Sequence, residues 1–212
     1  GQQEHPSTWA QLYAQEYVAR MASSTYPLSI PAMMSVLDDE RTAHSQEAIF
    51  ALSLVSCDDN GRTALLQDPR CCGLLSGLLQ SDDTVCVRFA ALSLANLSLE
   101  EDGREIITDV RGCLGALVDD VRSSDADVQR FCLQALGNLC FLQRSREALL
   151  QVEGSLEVLC SALESRNSNV VRYSAGCIRT LVGDSLARER VMQVEGIKRI
   201  LLSLTSHKNA KV

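Results

Sequence analysis

Apolar residues recur along this chain at intervals of three and four, the period of one face of an α-helix, in runs separated by Gly, Asp, Asn and Ser. The runs predict three helices per unit. A short one falls at 61–67, 103–109, 145–152 and 187–194, and a second at 71–79, 113–121, 155–163 and 197–205. The longest falls at 42–56, 84–99, 126–141 and 168–182. The units repeat. Arg88-Phe89 aligns with Arg130-Phe131 and Arg172-Tyr173, a spacing of 42 residues each time. Leu65, Ile107, Leu149 and Val191 keep that spacing, and so do Gly112, Gly154 and Gly196. No insertion is needed between about residues 42 and 205.

The polar residues punctuate these units. Each glycine between the first and second helices suits a position just past a helix end, where a left-handed backbone is needed. Asp83, Asp125 and Asn167 share one phase before the longest helix, and each is a good N-cap. Upstream, helices are expected at 8–23 and 28–37. Met33 and Leu37 fall in phase with Leu75 and Leu79, so residues 8–41 read as a partial repeat capping the N-terminal end. Repeats then follow at 42–83, 84–125 and 126–167, with a last one at 168–212, and 8–205 form one domain. A three-helix unit of this length buries its apolar faces only against its neighbours. The expected fold is all-α, a right-handed α-solenoid of about four units.

The segment 128–139, Val-Gln-Arg-Phe-Cys-Leu-Gln-Ala-Leu-Gly-Asn-Leu, together with Gln-Val-Glu-Gly at 151–154 and 193–196, resembles the armadillo repeat over nearly the whole chain. HEAT repeats have a similar period but normally two helices per unit. The resemblance implies an interaction platform whose third helices line a concave groove, with an Asn fixing the backbone of an extended peptide and a Trp four residues earlier forming pockets. By position the Asn sites are Leu54, Asn96, Asn138 and Thr180, and the Trp sites are Phe50, Leu92, Gln134 and Gly176. Two Asn sites match and no Trp site does, which argues against an importin-α-like reader of basic signals.

Helical geometry suggests what stands in their place. At about 100° per residue, Phe89, Phe131 and Tyr173 lie within about 20° of the Asn direction, and Arg88, Arg130 and Arg172 about 80° to one side. One reading is a groove with an aromatic rail and an Arg edge that binds an extended or helical acidic segment, with Arg forks on carboxylates. Its candidate residues are Arg88, Phe89, Asn96, Arg130, Phe131, Gln134, Asn138, Arg172, Tyr173 and Thr180. The alternative is structural: the aromatics pack between third helices, and the arginines pair with junction acids such as Asp82, Asp83, Asp125 and Asp127.

Composition narrows the classes. Aromatic residues are 4% of the chain and prolines number 4, which favours helices over a β-sandwich. The net charge of −7 excludes a general nucleic-acid binder. Of 20 basic residues only Lys198, Lys208 and Lys211 are lysines; the rest are arginines. Nine cysteines without a CxxC pair read as small buried hydrophobes in a reducing, cytoplasmic setting. His5, His44 and His207 are dispersed, and no phosphate loop or metal-ligand spacing occurs, so no catalytic residue, metal or cofactor is expected. No run is long enough to span a membrane. The expectation is a protein-binding adaptor or scaffold of the kind that tethers motor, vesicle or organelle factors. A membrane-associated or nuclear transport-related armadillo module, at the nucleus or an organelle surface, and a HEAT-like regulatory subunit are the other readings. Residues 209–212 match the phase of 167–170, where a further third helix would begin; either the protein continues past this point, and an apolar face of the last repeat is then expected to be open to self-association or a partner, or the last two helices form its natural end.

Overall fold

The computed structural model describes residues 29–39 and 45–206. The expected helix at 8–23, all three histidines and the register of 209–212 lie outside the described residues. Among the described residues there are thirteen helices and no strand. Helix α1 (Ile30–Asp38) and α2 (Ser45–Val55) come first. Three triplets follow: α3 (Asp59–Leu66), α4 (Cys71–Leu78) and α5 (Thr84–Leu97); α6 (Glu101–Asp109), α7 (Cys113–Asp120) and α8 (Ala126–Leu139); α9 (Gln143–Gln151), α10 (Ser155–Ala162) and α11 (Ser168–Leu181). Helices α12 (Ser185–Gln193) and α13 (Ile197–Ser206) complete the described chain. The fold is an all-α repeat.

The ends of the helices follow from local chemistry. The Asp83 side chain accepts from the N–H of Val85, Asp125 from Asp127 and Val128, and Asn167 from Asn169 and Val170. Each cap is itself held, because its own N–H donates to the hydroxyl of Ser81, Ser123 or Ser165. The first helices begin two residues earlier than the sequence pattern suggests, at 59, 101, 143 and 185. For two of them the reason is a side-chain cap: Asp58 accepts from Gly61 N–H and Asp184 from Ala187 N–H. Gly112, Gly154 and Gly196 have φ of +82°, +69° and +78°, the left-handed turn that lets the second helix fold back on the first.

Packing follows phase. Leu65, Ile107, Leu149 and Val191 are all buried, and so are Leu97, Leu139 and Leu181. The third helices α2, α5, α8 and α11 pack in sequence as one row, and the second helices α4, α7 and α10 as another. Helix α1 packs on α2 and α4. Eight cysteines are buried in this core, only Cys57 is exposed, and all nine are free. Burial pushes the Cys132 thiol well above its ordinary value, and Cys113 and Cys160 up to about 11.

Candidate functional site on the third-helix face

On α5, after the exposed Thr84 that begins it, the residues that reach solvent are Val85, Arg88, Leu92, Asn96 and, just past its end, Leu99; on α8 the matching residues are Asp127, Arg130, Gln134, Asn138 and, just past its end, Phe141, with Ala126, Gln129 and Gly137 part-exposed beside them. The same phase on α11 gives Asn169, Arg172, Gly176, Thr180 and Gly183. This stripe is centred on Leu92, Gln134 and Gly176, four residues before the Asn phase. Phe89 then lies about 60° from its centre and Arg88 about 40°.

That geometry corrects the expected aromatic rail. Phe89 is 1% exposed and Phe131 4%, so both belong to the core between third helices. Phe89 packs on Phe50 of α2, with ring centroids 4.8 Å apart. Tyr173 alone of the three is half-buried and borders the open face.

The three phase-matched arginines have different environments. Arg88 is ion-paired to Asp125, the N-cap of α8. Burial pushes the Asp125 carboxyl up, but the Arg88 hydrogen bond and the α8 backbone N–H groups pull it further down, below the usual carboxylate range. One repeat earlier, Gln46 donates to Asp83 in the same way at 2.6 Å. Arg130 meets Asn167 at that phase and turns instead to Asp127 in its own helix, at 2.6 Å, with its guanidinium 4.1 Å above the Phe131 ring. Arg172 has Asn169 where Arg130 has Asp127. It is exposed, lies 5.0 Å from the Tyr173 ring centroid, and has no carboxylate partner among the described residues.

The asparagines join neighbouring repeats. Asn96 Nδ2 donates to Ser56 Oγ at 2.9 Å, and Asn138 Nδ2 donates to Ser98 Oγ at 3.0 Å and the Ala95 carbonyl at 3.2 Å. Thr180 bonds within its own helix, to the Gly176 carbonyl. Between α8 and α11 the row opens into a groove of about 170 Å³. Gln134, Asn138, Phe141, Arg172, Tyr173, Arg179 and Thr180 line it. The structure thus brings together the C-terminal half of the predicted set and leaves Phe89 and Phe131 inside.

A second arginine series escaped the sequence reading. Arg62, Arg104, Arg146 and Arg188, also 42 apart, reach back to the carbonyls that end the preceding third helix. Arg104 donates to Ser98 and Leu99, Arg146 to Cys140 and Phe141, Arg62 to Ser56 and Cys57, and Arg188 to Val182. These bonds satisfy backbone acceptors that a helix end leaves open. Arg62 is also paired to Asp59 and Glu100. The 42-residue spacing of these arginines was the available signal; the contact is six residues back in sequence and needs the turn geometry to be seen.

Among the described residues no group of three His, Cys, Asp or Glu side chains is placed to hold a metal ion, and no helix is long and apolar enough to cross a membrane. No protein-family model matches the chain, and no curated protein matches it. Solved structures do. A designed armadillo repeat protein in complex with the peptide (KR)4 superimposes with a TM-score of 0.76 at 17% identity, over 92% of this chain and 80% of that one. Computationally designed armadillo repeat proteins for modular peptide recognition give 0.78 at 16% identity, over 94% and 84%. An engineered protein gives 0.78 at 24% identity, over 99% and 90%. At these identities the likeness speaks to architecture, and the architecture is an armadillo-like repeat fold.

Proposed function

We propose that this chain is a protein-binding scaffold or adaptor that captures an extended or helical segment of a partner along the exposed face of α5, α8 and α11. The observation that carries this reading is the groove between α8 and α11, where a continuous solvent-facing stripe of polar and apolar side chains sits on a rigid row of packed helices. The likeness to designed armadillo proteins, one of them solved with a bound peptide, supports it. The amide Oδ1 atoms of Asn96 and Asn138, whose Nδ2 atoms are spent on the inter-repeat bonds, remain as acceptors for a partner's backbone N–H. The reading is of a binding module rather than an enzyme, acting in a reducing, cytoplasmic setting and bringing a partner, such as a motor or organelle factor, to a second site. Self-association through the last repeat, where Leu201 is exposed, belongs to the same proposal and is read on a sizing column.

The test is a plug. Apart from its chain neighbours and its own helix backbone, nothing lies within 4 Å of a Cβ built on Gly176, so Gly176→Gln fills the groove without straining the helix row. Peptides selected on the wild type from a random display library are expected to lose binding to Gly176→Gln and to a Gln134→Trp variant. They are expected to keep it to Glu189→Lys on the outer helix α12. Selected peptides that ignore both plugs and respond to the α12 change refute the groove reading.

A further inference from the structure

The groove between α8 and α11 is cationic in a chain of net charge −7. It is lined by Arg172 and Arg179 and by no acidic residue, and helix α11 carries no Asp or Glu at all. The charges of Arg88 and Arg130 are consumed by Asp125 and Asp127. Arg172 is left over because Asn169 replaces the acid of the preceding repeat. Arg179 is an addition, standing in phase with Ala95 and Gly137. Both are exposed. Beside them Phe141 is 66% exposed, although the other three phenylalanines, Phe50, Phe89 and Phe131, are all buried. Its carbonyl and that of Cys140 are held by Arg146, at 3.4 and 2.7 Å, which fixes the turn that presents the ring.

Deepening the groove reading, on which it rests, we propose that this end of the face is a subsite for an acidic-apolar protein segment. Arg172 and Arg179 take carboxylates on adjacent residues, and Phe141 with Tyr173 takes a neighbouring apolar side chain. The geometry suits that order of residues. Arg172 and Arg179 are seven positions apart on one helix, about 10.5 Å along its axis and about 20° apart around it. They therefore flank the line that a segment follows across the helix row. Side chains of an extended segment alternate in direction, so two successive acids face opposite flanks, one to each guanidinium. Phe141, at the C-terminal end of α8, stands on the Arg179 flank one helix away. An arginine meets a carboxylate with two parallel N–H donors, which rewards an acidic residue over a neutral one.

The test is fluorescence anisotropy with three labelled ten-residue peptides in a Gly-Ser context. One carries an Asp-Glu pair flanked by Leu and Phe, one carries Lys-Lys in place of the acids, and one keeps the acids with Ser in place of Leu and Phe. The double variant Arg172→Ala/Arg179→Ala is compared with Arg111→Ala/Arg166→Ala, an equal loss of charge at exposed arginines outside the groove. The first peptide is expected to bind best and to lose about tenfold or more with the groove double variant, against about twofold or less with the control. Phe141→Ser is expected to weaken the first peptide and leave the Ser-substituted one unchanged. Thermal melts check that all variants fold. Equal binding of the Lys peptide, or equal loss in both double variants, overturns the subsite. So does binding of anionic vesicles through the same arginines when the acidic peptide fails. If display-selected peptides of other chemistry still cross-link to α8 and α11, the subsite falls and the groove reading stands; if they cross-link to α9 and α12, both fall.

Discussion

Asp120 offers a sharp test of how this repeat stack is held together. It ends α7 at the phase where the neighbouring second helices carry Leu78 and Ala162, so a carboxylate occupies an apolar position. Its Oδ2 atom is buried without a hydrogen-bond partner. Burial, and after it the adjacent Asp119 charge, push the carboxyl from an ordinary 3.8 up to about 6. The native state therefore holds a proton between about pH 4 and 6 that the unfolded chain releases, and stability falls as pH rises through that window. Each pKa unit is worth about 1.4 kcal/mol, so a fully sheltered group would cost nearly 3 kcal/mol above pH 6. Asp120 is only half-buried, and solvent screening reduces the figure to about 1 kcal/mol. The substitution Asp120→Asn removes the charge and keeps the shape. It is expected to stabilise the protein by about 1 kcal/mol at pH 7.5, a rise of about 2–4 °C in melting temperature, and to change little at pH 4. Melting wild type and variant at both pH values, with a urea titration alongside, measures the difference directly. An equal shift at both pH values would mean the charge is irrelevant, and a lower melting temperature at pH 7.5 would show that Asp120 is paired in solution.

Removing a carbonyl clamp should also be visible: Arg146→Leu strips the bonds to Cys140 and Phe141 and is expected to cost about 1.5–2 kcal/mol, with faster hydrogen exchange at residues 140–142. Unchanged stability would show that water serves those carbonyls as well. Asn138→Ala leaves Ser98 Oγ without its donor, while the Ala95 carbonyl keeps the bond from the Ser98 hydroxyl, and is expected to cost about 1 kcal/mol in a urea titration. Gly154→Ala forces a side chain into a left-handed turn at φ +69° and should cost about 1–2 kcal/mol by the same measurement. A thiol titration of the native protein should find one fast-reacting cysteine, Cys57, and nine after denaturation; several fast thiols would mean that the core opens readily.

The sequence by itself determined the repeat, its period, the helix-capping Asp and Asn residues and the glycine turns. Each of these rests on contacts within a few residues, or on a periodicity that recurs without insertion. It also placed Arg88, Arg130 and Arg172 on one phase, and Asn96 and Asn138 on another. It could not say which of those phases faces solvent. The centre of the open stripe is set by where adjacent third helices touch, and that lies about 40° away from the Asn direction. The shift buried Phe89 and Phe131, which on a single helical wheel are indistinguishable from surface residues. Partner choice was equally hidden. Whether an arginine is spent or free depends on an acid 37 positions downstream, as for Arg88 and Asp125, or three upstream in the same helix, as for Arg130 and Asp127. Packing the repeats side by side shows that Arg172 has no carboxylate partner among the described residues, and so decides which end of a uniform-looking ladder keeps its charge. A repeating sequence fixes what each unit is; the identity of the surface comes from the small departures between units, and those acquire meaning only when the units are stacked.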